Sequence, residues 1–107
     1  MQREEQRARN HRICPEVVCE GSHTVVHLDG ELDLESKQEL RNLLEPLSGV
    51  VIVDLAKVTF VDSAAMGIIA FAGRHIADKG GELWLRAPAA VPRRSIELMG
   101  FGDWIET

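Results

Sequence analysis

A short apolar run near the middle of the chain sets the strongest limit on its fold. Val50 to Asp54, VVIVD, is the kind of continuous β-branched run found in strands that are covered on both faces. From Ala64 to Asp78 the apolar residues recur at helical spacing, and Gly80 and Gly81 end that pattern. A strand covered on both faces needs neighbouring strands and a helical layer. The sequence therefore predicts an α/β domain with Val50–Asp54 at the centre of its sheet.

The segments on either side of this core predict a mixed sheet. Residues Ile13 to Glu20 and Thr24 to Asp29 are rich in Val and indicate a β-hairpin. Leucines at helical spacing between Glu35 and Leu47 predict an amphipathic helix. The later elements are a strand at Glu82–Leu85, a helix at Val91–Met99 and an edge strand at Trp104 and Ile105. The order β-β-α-β-α-β-α-β predicts a mixed sheet of four to five strands packed with about three helices.

Composition narrows the domain organisation and the class of partner. A chain of 107 residues fits one domain, and its first twelve residues, MQREEQRARNHR, contain almost nothing apolar. We expect a disordered charged tail over residues 1–12 and a folded domain over 13–107. The net charge of −5 argues against nucleic-acid binding. The longest apolar run is too short for membrane insertion, so the chain is expected to be cytoplasmic.

Cysteine and histidine usage predicts no metal site. The two cysteines, Cys14 and Cys19, and four scattered histidines show none of the paired spacings that bind zinc. No glycine-rich phosphate-binding motif is present either, so no cofactor is expected.

An Asp and a Ser stand side by side where the central strand gives way to the helix, in the stretch FVDSAAMG. Ser63 falls just before the predicted helix, and Ser is a favoured N-cap because its hydroxyl accepts a bond from a first-turn amide. On that interpretation Ser63→Ala costs about 1 kcal/mol. The same position follows the carboxyl end of a strand, where α/β sheets meet ligands and partners. A cap and an accessible hydroxyl are therefore both open.

The helix after Ser63 is apolar along two stripes. The core-facing stripe is Met66, Ile69, Ala70, Gly73 and Ile76. A second stripe consists of Ile68, Phe71 and His75. One stripe suffices to dock a helix on a sheet, so the second either packs against a neighbouring helix or forms a partner surface.

Four motifs, taken in order, resemble a known family. They are GELD at Gly30–Asp33, VIVDLAKVTFVDSAAMG at Val51–Gly67, GGELWL at Gly80–Leu85 and ELMGF at Glu97–Phe101. Together they resemble the STAS domain of bacterial anti-sigma factor antagonists, over roughly residues 13 to 106.

The resemblance implies a non-enzymatic binding module that regulates sigma-factor-dependent transcription by partner switching. Its expected partners are an anti-sigma factor with serine kinase activity, which brings the ATP, and a phosphatase. In the family the Ser after the Asp is phosphorylated, which corresponds to Ser63 here, and phosphorylation releases the anti-sigma factor. The expected partner-binding residues are Asp33, Asp62, Ser63, Ala64, Ile68 and Phe71. For Asp33, a cap or turn before the first helix is an equally good interpretation.

The motif departs from the family pattern at two positions. The family usually has Ser or Thr and then Gly after the Asp-Ser pair, whereas Ala64 and Ala65 stand here. Short STAS proteins that act as subunits of bacterial lipid-transport ABC complexes often carry Ala after the hydroxyl residue. A constitutive docking module on the ATPase of such a complex is therefore the alternative function.

A serine hydrolase is the third class to weigh. A nucleophilic serine needs a base within hydrogen-bond reach, and no Gly-x-Ser-x-Gly motif surrounds Ser63. His75 lies twelve positions along the same predicted helix, a rise of roughly 18 Å. The sequence therefore predicts that the chain is not an enzyme.

Overall fold

The computed structural model describes residues 15–106, which form a mixed sheet with helices packed on it. The strands are β1 (Glu16–Glu20), β2 (His23–Leu32), β3 (Val50–Val61) and β4 (Glu82–Arg86), and the helices are α1 (Lys37–Leu44), α2 (Ser63–Asp78) and α3 (Ala90–Leu98). Two 3₁₀ turns, Leu34–Ser36 and Gly102–Trp104, precede α1 and follow α3. The predicted tail, residues 1–12, and the predicted strand start at Ile13 lie outside the described residues.

The strand order β1-β2-β3-β4 confirms the predicted fold class. β1 runs antiparallel to β2, while β3 is parallel to both β2 and β4. The hairpin between β1 and β2 turns at Gly21, whose φ of 64° is a conformation that glycine adopts without a Cβ clash. β3 is an interior strand, as its continuous apolar run predicts.

β3 is longer than predicted because two bulges change its side-chain period. Its pairing with β2 shifts by one residue after Asp54 and again after Val58. Each extra residue on β3 turns the following side chains toward the core one position later. The buried residues along this half are consequently Leu55, Val58 and Val61, three apart instead of two. The continuous apolar run that predicted this strand ends at Asp54, before the first bulge, so the second half of β3 was not predicted.

One hydrophobic core joins the helices to the sheet. α1 contributes Leu40 and Leu44, both essentially fully buried, and α1 contacts α2. The predicted core-facing stripe of α2 is confirmed, since all five of its members are buried. α3 packs against β3 and contributes Ile96. No helix within residues 15–106 is long and apolar enough to cross a membrane.

The predicted edge strand at Trp104 and Ile105 is replaced by a turn and a single bridge. Trp104 ends the second 3₁₀ turn, and Ile105 alone forms a parallel bridge with Leu85 of β4. The Trp104 ring lies against Gly73 of α2, where an added Cβ would come within 2.5 Å of a ring carbon. The large ring therefore packs on the helix from a 3₁₀ turn, and only Ile105 pairs with the sheet.

Candidate functional site

Two aspartates meet at the edge of the sheet where β2 and β3 end. The last paired residues of these parallel strands are Leu32 and Val61, and the next residue in each chain segment is an aspartate. Because parallel strands end at the same edge, Asp33 and Asp62 lie beside each other. The Asp62 amide also donates to the Leu32 carbonyl oxygen at 3.0 Å, which holds the two strand ends together.

Asp33 caps the turn that follows it. Its Oδ1 accepts from the amides of Glu35 and Ser36, at 3.0 and 3.2 Å. In return the Ser36 hydroxyl accepts from the Asp33 amide at 2.8 Å, so the pair forms a capping box. The structure thus shows the cap that was one of two interpretations of Asp33, and leaves its role toward a partner as a proposal.

Asp62, and not Ser63, is the N-cap of α2. The Asp62 Oδ1 accepts from the Ala65 amide at 2.9 Å, and Ser63 is already the first helical residue. The predicted cap at Ser63 is therefore wrong by one position, because Asp competes for the same role with a charged acceptor that suits the helix dipole. The capping energy belongs to the Asp62 side chain.

The second oxygen of Asp62 reaches a different element. Its Oδ2 accepts from the Leu34 amide at 3.1 Å, across the strand ends. One carboxylate thus connects the start of α2, through the Ala65 amide, to the first 3₁₀ turn, through the Leu34 amide.

Ser63 is exposed in the first turn of α2, directly after the Asp62 carboxylate that caps the helix. Ala64 beside it is half-buried, and Ala65 is fully buried under the turn. An alanine therefore fits at the position where the family pattern has glycine. The hydroxyl of Ser63 is the accessible one at this end of the helix.

The second apolar stripe of α2 divides into two parts. Ile68 is only 8% exposed and belongs to the core, so it packs inside the protein rather than on the predicted surface. Phe71 is 71% exposed and stacks on His75 with ring centroids 6.1 Å apart. Phe71 and His75 line a groove of about 420 Å³ between α1 and α2, whose other wall includes Arg41 and Leu44. The packing interpretation holds for Ile68, while Phe71 remains a surface residue.

Two histidines in the part of the chain that the structure describes make contacts away from Ser63. His75 stacks on Phe71 further along α2, and His27 Nδ1 lies 2.9 Å from Asp54 Oδ2 on the neighbouring strand. Among residues 15–106, no group of three or more histidine, cysteine or acidic side chains is arranged to hold a metal ion.

A separate polar cluster fastens the end of the chain to β4. The Arg86 Nε donates to Glu106 Oε1, and the Glu106 amide donates to the Leu85 carbonyl oxygen at 2.8 Å. The hydrogen bond to Glu106, with Glu20 and Asp54 nearby, raises the pKa of Arg86 above its usual range. This cluster keeps the segment after the second 3₁₀ turn against the sheet.

Leu34 is the residue of this site that sequence reasoning missed. Its side chain is 65% exposed, although its amide is fixed by Asp62. The Asp33–Ser36 spacing could have revealed the capped turn, but no sequence signal places the Leu34 amide opposite Asp62, because the two are 28 positions apart and meet only through strand pairing.

Comparison with solved structures gives the fold a precedent. The chain is similar to the anti-sigma factor antagonist SpoIIAA in its unphosphorylated form, with a TM-score of 0.77 and 20% identity over 87% of this chain and 86% of that chain. It is also similar to an anti-sigma factor antagonist from Mycobacterium paratuberculosis, with a TM-score of 0.72 and 23% identity over 87% of this chain and 82% of that chain. For the phosphorylated form of the Bacillus cell fate determinant SpoIIAA, the TM-score is 0.68 and the identity 20%, over 87% of this chain and 89% of that chain. At these identities the likeness establishes the fold.

The family comparison covers almost all of the described chain. A family model described as "Mlab, STAS domain" matches residues 16–106. Among curated proteins, none matches the sequence. The match spans every strand and helix of the structure, including the strand ends that carry Asp33 and Asp62. The chain therefore belongs to the STAS domain family.

Proposed function

We propose that this STAS domain is an anti-sigma factor antagonist controlled by phosphorylation of Ser63. In its unmodified form it binds an anti-sigma factor that carries serine kinase activity, and modification of Ser63 releases that partner. A phosphatase restores the binding form. The proposal implies a cytoplasmic protein, since sigma factors and ATP act there.

The observation that carries the proposal is the setting of Ser63. Its side chain is exposed at the start of α2, and Asp62 holds the backbone around it with two hydrogen bonds. The similarity to both the unphosphorylated and the phosphorylated form of SpoIIAA supports the same reaction here.

The domain can accept a phosphoryl group at Ser63 without unfolding. Such a group adds about −1.5 to −2 charge, and the start of α2 offers the partial positive charge of the helix dipole. The adjacent carboxylate of Asp62 has the opposite effect, because it repels the negatively charged phosphoryl group. The two effects act in opposite directions on stability, so we expect the fold to persist.

The same charge is unfavourable for a bound partner. A partner surface that fits a neutral hydroxyl beside Asp62 would have to desolvate the phosphoryl group and meet a doubled negative charge. A cost of about 3 kcal/mol lowers affinity more than a hundredfold. A local change in charge is thus sufficient for release.

Intact-protein mass spectrometry with site mapping tests this proposal. The protein is incubated with and without ATP in a lysate of the cells that make it, alongside Ser63→Ala. We expect an ATP-dependent gain of one phosphoryl group that maps to Ser63 and is absent from the variant.

A well-folded sample that stays unmodified in an active lysate would contradict the proposal. That result would instead support the constitutive docking module of a lipid-transport complex, for which an unmodified Ser63 is expected. A phosphoryl group mapped to another residue would also contradict it.

A further inference from the structure

Leu34 is a large apolar side chain held out into solvent by a rigid backbone. It is 65% exposed, while both neighbours at two residues' distance, Leu32 and Ser36, are fully buried. The capping box of Asp33 fixes the turn on one side of it, and the Asp62 carboxylate fixes its amide on the other. An exposed leucine on such a constrained turn keeps little backbone freedom to lose on binding, which favours a role in recognition.

The hydrogen bond from the Leu34 amide to Asp62 brings the turn that carries this side chain next to the start of α2. Asp62 is bonded covalently to Ser63 and through its Oδ2 to the Leu34 amide, at 3.1 Å. The 3₁₀ turn that carries Leu34 is therefore close enough to Ser63 for one partner to contact both.

We infer that Leu34 is the apolar anchor by which the kinase-type partner recognises the Ser63 surface, and that Asp62 is the residue that positions it. This inference rests on the proposed function and names a contact that the Asp-Ser motif does not contain. The partner it fits has an apolar pocket for Leu34, bordered by basic side chains that face the carboxylates of Asp33 and Asp62.

The arrangement also links the modification to the anchor. A phosphoryl group on Ser63 lies next to the carboxylate whose other oxygen holds Leu34. It competes with Asp62 for the first-turn amides of α2 and repels it, which weakens the bond to the Leu34 amide. Release of the partner then includes loosening of the anchor as well as direct charge repulsion.

Two measurements on matched variants test the inference. The first is the initial rate of Ser63 phosphorylation in the ATP-supplied lysate, for the wild type, Leu34→Ala and Leu98→Ala. Leu98 is the control because it is the same residue type with similar exposure, 75%, on the last turn of α3. Thermal unfolding of each variant verifies the fold. We expect the initial rate of Leu34→Ala to be about tenfold lower than that of the wild type, and the rate of Leu98→Ala to equal that of the wild type.

The second measurement is hydrogen exchange at the Leu34 amide in Asp62→Asn and in the phosphorylated wild type. A positioning role predicts faster exchange there in both samples, with unchanged protection at Val53 in the centre of β3. Equal protection at Leu34 in all samples would contradict the link through Asp62.

The outcomes separate this inference from the proposed function. If the wild type is phosphorylated at Ser63 and Leu34→Ala reacts at the same rate, the anchor is wrong and the proposed function stands. If Leu98→Ala is slowed as much as Leu34→Ala, the effect is not specific to this surface and the anchor is again wrong. If the wild type is not phosphorylated at all, the proposed function fails and the anchor fails with it.

Discussion

The two halves of α2 are held by different kinds of interaction. At its start, Asp62 fixes the backbone through hydrogen bonds at the surface, and Ser63 beside it is exposed. In its second half, Gly73 is buried against the Trp104 ring, with no space for a further atom. Polar bonds at a surface can be exchanged at modest cost, while a filled steric contact cannot. The start of α2 can therefore accept a change of charge at Ser63, whereas its second half cannot accept a larger side chain at Gly73.

The largest effect is expected at the steric contact. Gly73→Val places a Cβ within 2.5 Å of one Trp104 ring carbon and 2.8 Å of another, so the ring must leave its position. We expect a loss of about 3 kcal/mol in the free energy of unfolding, measured by urea denaturation. Trp104 fluorescence should shift at the same time.

Gly67 offers a control on the same helix. It is exposed, and an added Cβ there meets nothing within 4 Å. Gly67→Val should leave stability within about 0.5 kcal/mol of the wild type, since Val and Gly differ little in helix propensity. Equal losses of stability at both glycines would mean that the Trp104 contact is not what makes Gly73 sensitive to substitution.

A smaller loss is expected from Asp62→Ala. The substitution removes the cap on the Ala65 amide and the bond to the Leu34 amide. We expect a loss of about 2 kcal/mol, composed of a cap and one further hydrogen bond. Chemical denaturation measures it. Ser63→Ala is the matched comparison, and a larger loss there than in Asp62→Ala would return the capping role to Ser63.

The polar cluster at β4 should contribute less again. Arg86→Gln removes the ion pair with Glu106, whose two side chains are about one-third exposed. Exposed pairs contribute about 0–1 kcal/mol, so thermal unfolding should change little. Hydrogen exchange at the Glu106 amide, which pairs with Leu85, should nevertheless become faster. Unchanged exchange would show that the Ile105 bridge holds this segment without Arg86.

The smallest change in stability is expected from a charge at Ser63. In Ser63→Asp the new carboxylate gains from the helix dipole of α2 and is repelled by Asp62, so the two contributions nearly cancel. We expect the free energy of unfolding to change by about 0.5 kcal/mol or less. A loss comparable to that of Gly73→Val would show that this end of the helix does not tolerate charge, and would break the comparison between the two halves.

The sequence predicted the parts of the fold that depend on local pattern. Apolar patterns and turn residues predicted the hairpin, the interior position of β3, the core-facing stripe of α2 and the end of α2 before Gly80. The second half of β3 was missed because the continuous apolar run ends at Asp54, and beyond it the buried residues Leu55, Val58 and Val61 are three apart, which matches neither a continuous run nor an alternating strand. The predicted final strand is wrong at Trp104, which lies in a 3₁₀ turn and packs on Gly73, a contact between residues far apart in the chain.

The sequence motifs indicated the aspartates and the serine of the site, but neither Leu34 nor the hydrogen bonds of the site. The Asp-Ser motif led to Asp62 and Ser63, and the GELD motif to Asp33. Which of two adjacent residues caps α2 depends on backbone geometry that composition does not determine. The bond from the Leu34 amide to Asp62 depends on the register between β2 and β3, which brings Leu32 beside Val61.

Isothermal titration calorimetry tests the central claim most directly. An isolated kinase-type anti-sigma factor, identified by its phosphorylation of Ser63, is titrated with the wild type and with Ser63→Asp at matched protein concentrations. The account predicts that Ser63→Asp binds more than a hundredfold more weakly, which corresponds to about 3 kcal/mol, while its thermal unfolding matches the wild type. Equal affinity of the two proteins for that partner would contradict control by charge at Ser63.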